Sequence, residues 1–321
     1  MRKAAKRHVL VGVICILLMS ALVASALAAS TTQERVAQPT GTPAVGEDWS
    51  GTILFEAVRY GKFVIKALNL RSGTTTQLTS AQYNSYSPSW LPDGVHIGFV
   101  SDRDGRPEIY TMLADGSNVH QITRNRLNEQ SPSWSPDGKK LIYQIWPEEG
   151  SRLTLPQLYI TNLETLETEQ LTYGPGGSYD PSWSPDGEYI VFMANPDGHP
   201  DIYRMSMNDG EIVRLTHSVF PVTHIQNYAP SWSPDGKQIA FLSIRKVATD
   251  IYIMDFDGHG IRCITCGSKA LRASAPTWSP DGEQIAFSSK GDICIMNIGN
   301  GEWNCLEHTV ALDGSWNSDW R

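Results

Sequence analysis

The side chains able to do chemistry in this sequence fall into four groups. Cys263, Cys266, Cys294 and Cys305 could pair as disulfides, serve as a Cys-x-x-Cys redox centre, or hold zinc through four thiolates. Asp102-x-Asp104-Gly105 and Asp255-x-Asp257-Gly258 resemble fragments of calcium loops. Calcium takes about six to eight oxygens, and neither stretch supplies a third acidic position or a distal glutamate. The eight histidines show no H-x-x-x-H or H-E-x-x-H spacing, so no metal centre is legible and no cofactor is expected. Ten tryptophans could stack on sugar rings, or on one another's surroundings in a core. Which chemistry is real depends on the elements that carry these residues.

Composition is that of a folded chain with many turns: 40% hydrophobic, 19% charged, 27 Gly and 19 Pro. Helix formers are not concentrated beyond the N-terminal segment, which favours an all-β fold. Residues 1–29 read as a signal peptide or membrane anchor. Arg2, Lys3, Lys6 and Arg7 precede an apolar run from Val9 to Leu22, with A-x-A spacing at Ala24/Ala26 and Ala26/Ala28. The apolar stretch to Ala29 approaches the roughly 20 residues that cross a bilayer, so cleavage and anchoring both stand. Cys15 follows Ile14, which argues against lipoprotein processing. Residues 30–47 have the composition of a flexible Ser/Thr/Pro linker. Export to a periplasmic or extracellular compartment is expected. Losing residues 1–28 removes four basic and no acidic residues, taking the net charge from −8 to −12. A chain that acidic lacks the Lys/Arg footprint needed for nucleic acid.

From residue 48 onward a phrase recurs: SPSWLPDGVHIGF from Ser87, SPSWSPDGKKLIY from Ser131, DPSWSPDGEYIVF from Asp180, APSWSPDGKQIAF from Ala229 and APTWSPDGEQIAF from Ala275. DWSGTILF at Asp48 is a degenerate copy, and the chain stops on SDWR. Trp49, Trp90, Trp134, Trp183, Trp232, Trp278 and Trp320 mark the frame at spacings of 41 to 49 residues. A period in the forties with four strand signals per repeat denotes a β-propeller. In the copy at Ala229 the strands are predicted at Ala229–Ser233, Gln238–Ser243, Asp250–Asp255 and Ile261–Thr265. The Ser-Pro-Asp-Gly turn has Pro to preset φ, Gly for a positive φ and a Ser hydroxyl to bond turn amides. The expected fold is a six-bladed propeller of four-stranded antiparallel blades over residues 48–321. The C-terminal strand supplies the weak first strand of blade one and closes the ring; the product is expected as a monomer.

The frame P-S-W-S-P-D-G, then I-x-F, D-I-Y-x-M and a closing x-L-T, resembles the TolB-like PD40 (WD40-like) repeat family. The resemblance spans about residues 48 to 321. It implies a propeller and a cell-envelope protein or peptide partner, but without the α/β domain that precedes the propeller in TolB. The same repeats cap peptidases of the prolyl-oligopeptidase type, which this chain does not match because it has no G-x-S-x-G.

Within that frame the tryptophans are expected to pack blade against blade, and the Asp-Gly pairs to be hairpin turns. If Gly299-Asn300 is a two-residue loop, Cys294 and Cys305 face each other across a hairpin, while Cys263 and Cys266 close the preceding blade. Structural disulfides are therefore preferred; a redox pair lacks a helix N-terminus, and a four-thiolate zinc site needs two blades to converge. Sequence variation falls on the face formed by the d-to-a and b-to-c loops, including Trp146–Pro156 and His217–Ala229. Tyr86, Gln130, Tyr179, Asp180, His224, Asn227, Tyr228 and Asp319 cluster at the channel-mouth side and are the candidate partner-binding residues. A non-enzymatic scaffold is the first expectation; a polysaccharide-binding or lyase-type propeller is the alternative.

Overall fold

Each repeat turns into four short strands because its apolar residues come in runs punctuated by Asp-Gly and Ser-Pro-Asp-Gly turns. The computed structural model describes residues 51–125, 127–147, 155–218, 225–245, 248–266, 273–274, 276–306 and 319–321. The N-terminal segment and linker expected at 1–29 and 30–47 lie outside the described residues, as does His224.

Blade one holds β1 (Thr52–Arg59), β2 (Lys62–Asn69) and β3 (Thr74–Gln77). Blade two is β4 (Ser85–Trp90), β5 (His96–Ser101), β6 (Glu108–Leu113) and β7 (His120–Gln121). Blade three is β8 (Asn128–Trp134), β9 (Lys140–Trp146), β10 (Gln157–Asn162) and β11 (Thr168–Gln170). Blade four is β12 (Ser178–Trp183), β13 (Tyr189–Ala194), β14 (Asp201–Ser206) and β15 (Ile212–Arg214). Blade five is β16 (Ile225–Trp232), β17 (Gln238–Arg245), β18 (Ala248–Asp255) and β19 (Arg262–Cys263). Blade six is β20 (Thr277–Trp278), β21 (Gln284–Ser289), β22 (Asp292–Asn297) and β23 (Trp303–Leu306), and β24 (Asp319–Trp320) returns to β1. The result is six antiparallel four-stranded sheets, with blade one ordered β24-β1-β2-β3.

The first strands β4, β8, β12, β16, β20 and β24 touch one another in a closed ring, which makes them the wall of the channel. Second strands are buried on both faces, as in β5 and β21, because a neighbouring blade stacks on each side. Outer strands such as β3 are mostly exposed. Among the described residues the frame tryptophans pack onto the blade before them: Trp90 on Leu54 and Ile65, Trp134 on Val100 and Ile109, Trp183 on Ile142 and Leu158. Trp320 does the same against Ala286 and Ile295, so blade six meets the clasp through the same contact. Gly98 is small for this reason: a Cβ there would lie 2.5 Å from the Trp134 indole.

The stereotyped turn is held by its serine. Ser135 Oγ donates to Asp137 (2.6 Å) and accepts the Lys140 amide (2.8 Å), and Ser184, Ser233 and Ser279 repeat this. The closing x-L-T has an equally specific purpose. Thr79, Thr123, Thr172, Thr216 and Thr265 accept the backbone N–H of Ile65, Ile109, Leu158, Ile202 and Ile251 at 2.9–3.0 Å, pinning the fourth strand's exit to the third strand.

Closure runs through residues 319–321. Ile53 partners Trp320 and Leu54 partners Asp319. The Arg321 guanidinium then reaches blade two, donating to the carbonyls of Leu91 (2.8 Å) and Pro92 (3.1 Å).

Strand bounds in blade five differ from the sequence expectation: the second strand runs on to Arg245, the third begins at Ala248, and the fourth is confined to Arg262–Cys263. The first strand of blade five begins at Ile225 rather than Ala229, because pairing with β17 continues past an irregularity at Pro230. The loop after β22 spans four residues, since the Asn297 amide bonds the Glu302 carbonyl (2.8 Å). The register nevertheless places Cys294 opposite Cys305.

Candidate functional site

Pro88, Pro132, Pro181 and Pro230 sit inside the channel-wall strands, where a proline cannot donate to the ladder. The chain accommodates each with a register shift, and the residue just before it takes a left-handed conformation: Ser87 (φ 52°), Ser131 (51°), Asp180 (50°) and Ala229 (47°). For a residue with a Cβ this costs about 1 kcal/mol or more each. The bulges put neighbouring blades in touch around the channel. Ser131 Oγ donates to Asp180 Oδ1 (3.2 Å), the Ser87 amide donates to Glu56 Oε1 (2.8 Å), and the Asp180 amide donates to Gln144 Oε1 (3.1 Å).

Four carboxylates are buried in or against this wall: Glu56, Asp180, Asp319, and Glu129 in β8, which burial raises to about 7. Burial raises Glu56 to about 7, against the opposing pull of the Ser87 amide. Asp180 rises to about 6 through burial, with the Ser131 hydroxyl working against it. Asp319 also rises to about 6 by burial, although it accepts the amides of Trp90 (2.7 Å) and Trp320 (2.9 Å) and faces Arg321.

The remaining candidates lie at the start of the first strands. Tyr86 meets Phe63 edge-on at 6.2 Å, and its phenol is held well above its ordinary pKa by burial and then by Glu56 and Asp102. Gln130 accepts from the Trp146 indole (3.1 Å), and Trp146 stands edge-on to Tyr179 at 5.9 Å. Tyr228 is buried and bonds Gln226 (2.5 Å). Asn227 is committed elsewhere: its amide donates to Asp201 (2.8 Å), which also takes Arg214, Thr216 and Ser218. The Asp pairs considered for calcium are turn anchors. Asp102 receives the Asn84 amide (2.7 Å) and side chain (2.6 Å), Asp104 receives the Tyr110 hydroxyl (2.6 Å), and Asp257 receives the His259 amide (3.1 Å).

Sequence reasoning missed three tyrosines on the same loop face. Tyr60 is 85% exposed in the b-to-c turn of blade one, and Tyr83 and Tyr173 are 41% and 75% exposed in d-to-a connections. Tyr60 and Gly61 both have positive φ (52° and 75°), a turn that ordinarily prefers Asn-Gly. A bulky aromatic held left-handed and out in solvent is an outlier of the kind that marks function. The Tyr-Gly pair between two apolar runs was the available signal. A concavity of about 530 Å³ on blade two is lined by Asp104, Arg106, Glu108, Gln121, Arg124 and Asn125.

The cysteines form two bridges, Cys263–Cys266 and Cys294–Cys305. In the second, Cys294 is buried and Cys305 half-buried; in the first, Cys266 is exposed.

Three stretches of the sequence, 23–154, 148–221 and 218–319, match the PD40 family model, described as the TolB beta propeller domain. The fold superposes on TolB from Acinetobacter baumannii with a TM-score of 0.71 at 24% identity, covering 85% of this chain and 67% of that one. A TolB-type protein of Agrobacterium tumefaciens gives 0.63 at 22% identity, covering 80% and 87%. An oligogalacturonate lyase in complex with manganese gives 0.56 at 16% identity, covering 79% and 73%.

Proposed function

This chain belongs to the PD40 family of TolB β-propeller domains, and from that premise we propose that it is an exported, non-enzymatic scaffold. It holds a protein or peptide partner of the cell envelope at the channel-mouth face. The observation that carries this reading is the group of exposed tyrosines on that face, with Tyr60 kept in a strained turn. Tyrosines supply large, stiff contact area at low entropic cost and are enriched where partners bind. Tyr86, Gln130, Tyr179 and Asp180 form the floor beneath them. Asn227, Tyr228 and Asp319 brace that floor.

The test is affinity capture from a crosslinked native envelope with residues 30–321 and with a Tyr60→Ala/Tyr83→Ala/Tyr173→Ala variant. Loss of one reproducible partner at unchanged thermal midpoint supports the scaffold. Equal capture by both proteins counts against this face. A lyase-type reading would gain instead from stoichiometric manganese together with turnover of acidic glycans.

A further inference from the structure

Away from the channel, the outer edge of blade five carries a cluster the scaffold reading does not use. One oxygen of Asp250 and the sulfurs of Cys263 and Cys266 all lie within 4.8 Å of one another. We propose that Asp250, Cys263 and Cys266 form a redox-gated site for a borderline-soft divalent cation such as zinc, closed in the disulfide form and opened by reduction.

Several features prepare the donors. Cys263 sits opposite Tyr252 in the ladder, and the Ile264 amide bonds the Ile251 carbonyl (2.9 Å), so the Cys-x-x-Cys segment is tied to β18 whatever its sulfurs do. Asp250 is fixed by the Thr265 hydroxyl (3.0 Å), which leaves the carboxylate oriented by a neighbour as metal-binding carboxylates are. The Cys266 amide points at Cys263 Sγ (3.0 Å) and the Tyr252 hydroxyl lies 3.4 Å from Cys266 Sγ, two contacts that stabilise thiolate. Arg245, stacked 4.0 Å over the Tyr252 ring, adds positive charge nearby. Two thiolates and one carboxylate leave a fourth tetrahedral position open to water or a ligand.

The chemistry balances simply. A dithiol donor reduces the bridge by two electrons and is itself oxidised to a disulfide, leaving two protein thiols; the cation then displaces both thiol protons. Exposed Cys266 is accessible to that donor, whereas in the second bridge Cys294 is buried and Cys305 half-buried.

The probe is cobalt(II) added to the full chain in a Cys294→Ser/Cys305→Ser background, before and after reduction. The reduced protein is expected to take up one equivalent and to show thiolate-to-cobalt charge-transfer bands, and the oxidised protein to show none. The isosteric Asp250→Asn should weaken binding ~10-fold or more while far-ultraviolet circular dichroism stays unchanged, since loss of even outer partners costs about 10–100-fold. Charge-transfer bands absent from the reduced, folded chain would overturn the proposal. Unaltered affinity in Asp250→Asn, or equal uptake by the oxidised chain, would overturn it too.

Discussion

Replacing Glu56 by Gln should make the propeller more stable, by an amount that depends on pH. The amide keeps an oxygen for the Ser87 N–H and removes the charge. Glu56 has a folded pKa of about 7 against an ordinary 4.5. The folded state therefore binds more protons than the unfolded chain between those values, and stability falls as pH rises through that window. The full shift corresponds to about 3 kcal/mol. Moving from about pH 5 to about pH 8 should cost the parent roughly 2–3 kcal/mol through this one group. Glu56→Gln escapes that cost. The assay is the thermal midpoint of both proteins across the range. At about 2 °C per kcal/mol for a propeller of this size, the gap should widen by about 4–6 °C toward alkaline pH. Glu129, Asp180 and Asp319 are present in both proteins and cancel in the difference. Parallel curves would refute the argument, because they would mean that Glu56 ionises in the folded wall at no cost.

Other outcomes follow from packing. Gly98→Ala should destabilise by about 1–3 kcal/mol, because its methyl group meets the Trp134 ring inside a filled seam; denaturant titration measures this. Trp320→Ala should lower stability by about 3–5 kcal/mol, read as a fall in thermal midpoint, since the indole is buried between blades six and one. Tyr60→Asn should raise stability by about 0.5–1 kcal/mol while weakening partner capture, as Asn-Gly suits the turn and the aromatic contact is lost. A gain in stability with undiminished capture would separate Tyr60 from the binding face.

The blades were legible because each local rule agreed with the others: turn chemistry, alternation and a period in the forties all specified the same strands. Closure was legible too, since DWSGTILF has a poor first strand and SDWR repeats the first-strand motif. The Cys294–Cys305 register was readable from strand pairing alone, although its loop proved longer than expected. The bulges were readable in principle from a proline inside four of the six wall strands, but not the left-handed residue before each one. What sequence could not convey was commitment. Asn227 at a loop face looks free until Asp201, itself fully buried, takes its amide. The same holds for Asp319, whose oxygens are occupied by two tryptophan amides at the seam.

The clasp in blade one has a consequence for biogenesis. A chain emerging from the ribosome makes β1, β2 and β3 first, yet β1 lacks its inner neighbour until Trp320 has been made. Until then one flank of an apolar strand offers unpaired amides and carbonyls, a template for misassociation. Blades two to six can form as they appear, so the slow, topologically distant step is left to the end. Any premature stop, even one that spares every complete blade, yields an open ring with a sticky seam. Quality control acting on exposed strand edges would therefore discriminate a ring that holds β24 from one that lacks it.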